Sequence, residues 1–458
     1  MCSGEESLKL LGLSKEQVKQ VLAKGSVTIA IYGLGRIGLP LAAVFSDKGA
    51  HVIGVDIKDE VVDSVNKGIN PYPDEPGLAE LVKRNVEEGR LQATTDGAEA
   101  AKKADVMIII VPVVADKKGR IRFNALLDVA EKISKGLERG DIVITETTLP
   151  PGATESLVPI LNKSGLRLGD YGLAHAPERT MVGRVIRDIT GEYPKIIGAS
   201  DAATLEAVSG LYESINKKGV IRVSSIRAAE AVKVFEGVYR DVNIALANQL
   251  ALWAEEQGLD VYEIIETANT QPYSHIHRPG AGVGGHCIPV YPWFLISTAK
   301  RVDLSLVRIA RQVNDSMPRH IVELVIKALN RIGRSAKGSN VLVLGIAYRG
   351  NVKDHSNSPG LEIARILRDE WQANVYIYDP YYSPQEVQQL GFTWKNDYKD
   401  IDVIVIATDH AVFKKLDLDN ISREARNKII VDGRNVVNPL RAREKGFIYI
   451  SVGRAIQN

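Results

Sequence analysis

Near both ends of this chain, short runs recur in which almost every residue is apolar. Thr28 to Tyr32, His51 to Val55, Val106 to Val111 and Ile142 to Thr145 form one set. Asn340 to Tyr348, Asn374 to Tyr378, Asp402 to Ala407 and Lys428 to Val431 form the other. A strand with one wet face alternates apolar and polar residues, so a strand that is apolar throughout has to be covered on both faces. Parallel sheets with helices on either side meet that condition. Between the two sets, Ser225 to Gln257 reads as one long helix, apolar on most of its circumference, as a core spine or a subunit interface requires. The expected boundaries are a helical extension over 1–24, a first sheet domain over 25–215, a central helical domain over 216–335 and a second sheet domain over 336–458.

Composition narrows the partners. Lys and Arg number 58 against 56 Asp and Glu, a net charge of +2, which leaves no electrostatic footprint for nucleic acid. No run of about 18 uncharged apolar residues is present to span a bilayer, so no membrane partner is expected. The first residues lack the basic, apolar and small-residue succession of a secretory signal. With two cysteines, Cys2 and Cys287, there is no disulfide framework, and a cytoplasmic location is expected. The expected partner is a small molecule.

The turn Gly33-Leu-Gly35-Arg36-Ile37-Gly38 follows one apolar strand and opens a helix, and Asp56 stands at the end of the next strand. A glycine triplet alone is weak evidence, but strand, turn, helix and acid together are what a dinucleotide site requires. The glycines permit a tight turn and close approach to a pyrophosphate, and the helix N-terminus supplies amides. Asp56 would accept from the ribose hydroxyls and repel a 2′-phosphate, which favours NAD over NADP. A glycine-tolerant turn with Asp56 as a surface cap is the plainer alternative. The corresponding stretch of the second set, Gly345-Ile-Ala-Tyr-Arg-Gly350, lacks that glycine spacing; there Arg349 and Lys353 are either diphosphate contacts or solvated loop charges. The fold class expected is thus α/β, with two Rossmann-like doubly wound parallel-sheet domains joined by a long central helix.

Cys287 lies in Arg278-Pro-Gly-Ala-Gly-Val-Gly-Gly-His-Cys-Ile-Pro, with glycines on one side of the thiol and prolines on the other. A thiolate is the strongest side-chain nucleophile near neutral pH, and glycines let backbone amides approach a ligand. A small buried residue in a tight turn is the competing reading. Three histidines nearby, His275, His277 and His286, match no usual zinc spacing, and no metal is expected.

Taken together, several of these segments resemble the UDP-glucose and UDP-N-acetylmannosamine dehydrogenase family. The residues that carry the resemblance are Gly33 to Gly38, Glu146-Thr-Thr-Leu-Pro-Pro-Gly152, Ala176-Pro-Glu-Arg179, Arg240-Asp-Val-Asn-Ile-Ala-Leu-Ala-Asn248 and Gly282 to Pro289. It runs from about residue 26 to the C-terminus and is closest to the N-acetylhexosamine branch. It implies a four-electron oxidation of a UDP-sugar at C6 with NAD as cofactor and a product feeding a surface polysaccharide, while the long middle helix by itself leads us to expect a homodimer built across it. UDP-N-acetylmannosamine ranks first as substrate, then UDP-N-acetylglucosamine, then UDP-glucose; a catalytically silent nucleotide-sugar binder is the alternative.

The resemblance also implies roles. Cys287 would be the nucleophile, Lys233 the cation beside the oxyanion and Glu178 the group that handles water, although Lys233 also has Glu230 and Glu236 at salt-bridge spacing. Beyond Gly33, Gly35, Arg36, Ile37, Gly38 and Asp56, cofactor contacts would come from Val111, Pro112, Glu146, Thr148 and Arg434. Substrate contacts would come from Arg179, Arg240, Asn243, His277, Gly282, Gly284, Gly285 and Arg349, with the first domain holding NAD and the last the UDP part. The chain departs from the family pattern in four places. Tyr291 stands where an aspartate is usual, Gly237 where an asparagine is, Val113 in place of a threonine, and Ser356 in place of an arginine in Asp354-His-Ser-Asn-Ser-Pro359.

Overall fold

The computed structural model describes residues 9–116 and 119–454, so Cys2 and the first part of the 1–24 extension lie outside the described residues. The strands pair into two separate sheets. The first runs in the order Val220–Arg222, Lys195–Ala199, Gly172–His175, Ile142–Thr145, Val106–Ile109, Thr28–Tyr32, His51–Val55 and Leu91–Thr94. Every pair is parallel except Gly172–His175 with Lys195–Ala199. The second, parallel throughout, runs Thr393–Trp394, Asn374–Tyr378, Asn340–Leu344, Val403–Ile406, Ile429–Asp432 and Ile448–Ser451.

Burial on both faces is what makes these strands apolar throughout. Ile29, Ile31, Val106 and Ile108 enter one core and Ala30, Tyr32, Met107 and Ile109 another, following the two-residue period of a strand. Val341, Val343, Val403 and Val405 likewise separate from Leu342, Leu344, Ile404 and Ile406 in the second sheet. In the first sheet the strand order reverses between Thr28–Tyr32 and Val106–Ile109. Such a switch point leaves a crevice at the carboxyl ends of the strands, and the Gly33 turn emerges there.

The strands expected to reach Val111 and Tyr348 end at Ile109 and Leu344. In the second case Gly345, at φ +92°, takes the backbone out of the extended region. The N-terminal helix covers Lys15–Ala23, begun by a capping box between Ser14 and Gln17. The long helix is Ile226–Gln257. A second one, Ser305–Arg331, escapes the sequence reading; Pro318 in its interior interrupts the pattern from which helices are recognised.

The described residues divide into two compact units. One holds the residues up to Phe235 with Trp293–Thr298; the other holds Glu236–Pro292 with the residues from Ala299 on. No helix among the described residues is long and apolar enough to cross a membrane.

Within the first unit, Glu230 of the long helix is fully buried. Its carboxylate accepts from the N–H groups of Gly152, at 2.5 Å, and Thr154, at 2.8 Å, so it closes the turn after Ile142–Thr145. Burial pushes its carboxyl up to about 7 from 4.5, against the pull of the donors at Thr154 and Gly152. Between those two values the folded state holds a proton that the unfolded state releases, so this group's contribution to stability falls as pH rises through that window. Glu230→Leu is expected to remove the dependence and, by taking the acceptor from the buried N–H of Thr154 and the half-buried N–H of Gly152, to cost about 2–3 kcal/mol in urea unfolding.

Candidate active site

In the first unit, the Gly33 turn is shaped by steric necessity. Gly33 has φ +104°, and a Cβ there would lie 2.8 Å from the Ile110 carbonyl oxygen. On Gly38, which begins the helix Gly38–Asp47, a Cβ would lie 1.8 Å from the Gly33 oxygen. Gly35 differs: among the described residues nothing lies within 4 Å of the corresponding position. Two glycines therefore close the turn and the third leaves open space in front of it. Asp56 accepts from the N–H of Leu34 at 2.9 Å and of Lys58 at 3.0 Å, joining the acid to the glycine turn. Tyr72, which no sequence signal singles out, donates to the Leu34 carbonyl at 2.8 Å. Arg36 is exposed and pairs with Asp74 at 2.5 Å, and Ile37 is the residue before the helix. Turn, open space and acid together fit a dinucleotide.

The other first-unit candidates have varied surroundings. The Val111 carbonyl accepts from Thr147 Oγ1 at 2.7 Å, Pro112 is exposed and Thr148 is half-buried. Glu146 is 1% exposed, accepts from Lys195 Nζ at 2.6 Å and from the hydroxyl of Tyr212, and thus belongs to a buried ion pair. Glu178 is half-buried and accepts from the backbone and hydroxyl of Thr180. Arg179 donates to the Pro194 carbonyl at 3.3 Å and lies over the Tyr193 ring. Lys233 is half-buried on the long helix, one turn after Glu230, whose carboxylate is taken up by Gly152 and Thr154.

In the second unit the glycines before Cys287 pack against protein. A Cβ on Gly284 would lie 2.7 Å from the Asn357 carbonyl oxygen, and one on Gly285 would lie 2.8 Å from the Tyr348 ring. Gly282, at φ +122°, faces Pro318, and Gly280 faces the Arg434 guanidinium. Gly285 N–H donates to Ser356 O at 2.7 Å, and Asn357 Nδ2 to Gly285 O at 3.0 Å. The loop that carries the thiol is thus clamped, and Cys287 at its end is exposed.

Ser356, where the family pattern has an arginine, links this loop to an acid. His286 Nε2 lies 2.8 Å from Ser356 Oγ, which donates to Asp354 Oδ1 at 2.6 Å. The hydrogen bond with Asp354 raises His286 above its ordinary range, outweighing desolvation. Burial acts to raise Asp354, but the bonds from His286 and Ser356 hold its carboxyl well below the usual carboxylate range.

Arg434 donates to the carbonyls of Ala407, at 3.0 Å, and Gly282, at 3.2 Å, tying the glycine loop to the strand end at Asp432. Asn243 accepts from His277 N at 2.8 Å and donates to His275 O at 2.7 Å, so it shapes the His277 loop. Burial, then Arg240, holds His277 below its ordinary range. Arg240 is exposed, Arg349 lies over the Tyr348 ring, and Lys353 pairs with Glu386 at 2.6 Å.

Residues 27–216 match the NAD binding domain of the UDP-glucose/GDP-mannose dehydrogenase family, 227–316 its central domain and 342–439 its UDP binding domain. The chain belongs to that family. A UDP-N-acetyl-D-mannosamine dehydrogenase from Pyrococcus horikoshii is 40% identical over 93% of this chain and 99% of its own. Among solved structures, the UDP-D-ManNAc dehydrogenase of Pyrococcus horikoshii superposes with a TM-score of 0.86 at 37% identity, covering 94% of this chain and 100% of that one. The NDP-N-acetyl-D-galactosaminuronic acid dehydrogenase of Methanosarcina mazei Go1 gives 0.83 at 31%, covering 97% and 98%. Membership makes the chain an NAD-dependent UDP-sugar dehydrogenase, with the cofactor domain containing the Gly33 turn and the UDP binding domain containing Arg349, Asp354 and Ser356.

Proposed function

We propose that this chain oxidises the C6 hydroxyl of UDP-N-acetyl-D-mannosamine to the carboxylate in two two-electron steps, the second through covalent intermediates on Cys287. The observation that carries the reading is an exposed thiol at the end of a loop clamped by Tyr348, Ser356 and Asn357. A nucleophile for covalent catalysis needs that combination of access and fixed position. The likeness to dehydrogenases of UDP-N-acetylmannosamine supports the substrate.

Bound NAD, held by the Gly33 to Gly38 turn and Asp56, supplies the hydride acceptor. The residues do the rest. An aldehyde at C6 cannot lose hydride until a nucleophile adds, so the Cys287 thiolate attacks it and gives a thiohemiacetal. Hydride loss from that carbon leaves a thioester, and water cleaves it to the carboxylate and the thiol. Lys233 stabilises the oxyanion formed at each addition, which in a water-poor site is worth a few kcal/mol. Glu178 orients the water or takes its proton.

A homodimer accompanies the reading. Tyr239, Leu246 and Trp253 recur at seven-residue spacing on the long helix and are 54%, 48% and 53% exposed, an apolar stripe suited to a second copy.

Comparison of kcat/KM for UDP-N-acetylmannosamine, UDP-N-acetylglucosamine and UDP-glucose tests the assignment. The mannosamine sugar is expected to lead by about tenfold or more, the order of discrimination one well-placed pocket contact supplies. A lead for UDP-glucose would refute it.

A further inference from the structure

Gly237 lies inside the 32-residue helix Ile226–Gln257, where glycine costs about 1 kcal/mol relative to alanine. A Cβ built on it would stand 2.2 Å from Cδ2 of Tyr291 and 3.0 Å from that residue's Cβ and Cγ. The glycine therefore lets the Tyr291 ring lie directly on the helix backbone. Tyr291 is 6% exposed and opens the short helix Tyr291–Thr298. Its N–H donates to the carbonyl of Cys287 at 3.0 Å, as does that of Val290. One backbone turn thus separates the wedged ring from the thiol-bearing residue. On the other side of the thiol, Gly285 and His286 are held by Tyr348 and Ser356.

We propose that Gly237 and Tyr291 are a matched positioning pair that docks the Cys287 turn on the long helix and so sets where the thiol stands. The proposal rests on the reading of Cys287 as the reacting thiol and adds the residues that aim it. In this role both act on the thiol through the backbone of Cys287, to whose carbonyl Tyr291 N–H donates. Two departures from the family pattern, a side chain lost at 237 and an aromatic ring gained at 291, become one exchange of volume across a single contact. A methyl group at 237 has to displace the ring, and displacement of the ring pulls on the turn. A shift of about 1 Å in a reacting group costs about a hundredfold in rate.

A double-mutant cycle on the full chain tests this, using Gly237→Ala, Tyr291→Ala and the pair. Three quantities are read: kcat and KM with UDP-N-acetylmannosamine and NAD, the alkylation rate of Cys287 by iodoacetamide followed by mass spectrometry, and the urea unfolding midpoint. Gly237→Ala is expected to lower kcat about a hundredfold, with KM changed far less, and to alter the alkylation rate severalfold. In the Tyr291→Ala background the same change should have a much smaller further effect, because the ring carbon 2.2 Å away is gone and only the Cβ at 3.0 Å remains to give by a few tenths of an ångström. Independent, multiplying effects would overturn the proposal, as would wild-type kcat and alkylation in Gly237→Ala. If Gly237→Ala does not fold, Tyr291→Ala alone decides: an unchanged alkylation rate and kcat refute the pair. Were Cys287 not the reacting thiol, alkylation would still respond to Gly237→Ala while kcat would not, so the two readings fail separately.

Discussion

Cys287→Ala is expected to abolish uronate formation, lowering its rate by on the order of 10⁴-fold or more, as loss of a nucleophile does when catalytic groups act as a unit. The thiol is exposed and its loop is fixed by contacts that do not involve the sulfur, including Gly285 N–H to Ser356 O and Asn357 Nδ2 to Gly285 O. Removing the sulfur should therefore leave fold and binding intact, so UDP-sugar and NAD affinities by calorimetry should change by less than about 0.5 kcal/mol. Cys287→Ser should still add to the aldehyde, weakly, and stall as an ester, since an alkoxide is a poorer leaving group than a thiolate. An alanine variant that still released uronate at the wild-type rate would remove the thioester from the mechanism.

The second large effect is at Gly38. Alanine there would bring its Cβ to within 1.8 Å of the Gly33 oxygen and 2.9 Å of Ile110 Cγ2, and the first obstacle is backbone that cannot rotate away. Gly38→Ala is expected to destabilise the protein by about 3 kcal/mol or more and to abolish NAD binding. Gly35→Ala provides the contrast, because the space around that position is open among the described residues. It should leave the urea midpoint nearly unchanged and still weaken NAD, since the methyl enters the room the cofactor needs. Equal effects of the two substitutions on stability would mean that the turn is not built as described.

Both sheets were legible because their strands are buried on two faces, which leaves uninterrupted apolar runs such as Val403–Ile406. The geometry of the Gly33 turn was legible because its glycines, its helix and Asp56 are close in sequence. The second sheet hid its counterpart. There a Cβ on Gly360 would lie 2.4 Å from the Gly345 oxygen, repeating the relation of Gly38 to Gly33. The loop that clamps the thiol segment, with Tyr348, Ser356 and Asn357, is inserted between the two glycines, so the local spacing up to Gly350 misleads. Contacts between residues distant in sequence were not legible at all. Glu146 bonded to Lys195 and Tyr212, Glu230 closing the turn at Gly152, and the Tyr291 ring on Gly237 leave no periodic trace. In the sequence Gly237 and Tyr291 are two separate departures from the family pattern, and only their contact joins them.

The central claim is a four-electron oxidation, and the ratio of NADH formed to UDP-N-acetylmannosamine consumed by the purified protein tests it most directly. Two NADH per sugar, with the uronate as sole product, is the result predicted. One NADH per sugar with accumulating aldehyde, or no NADH despite binding of the sugar, would contradict it.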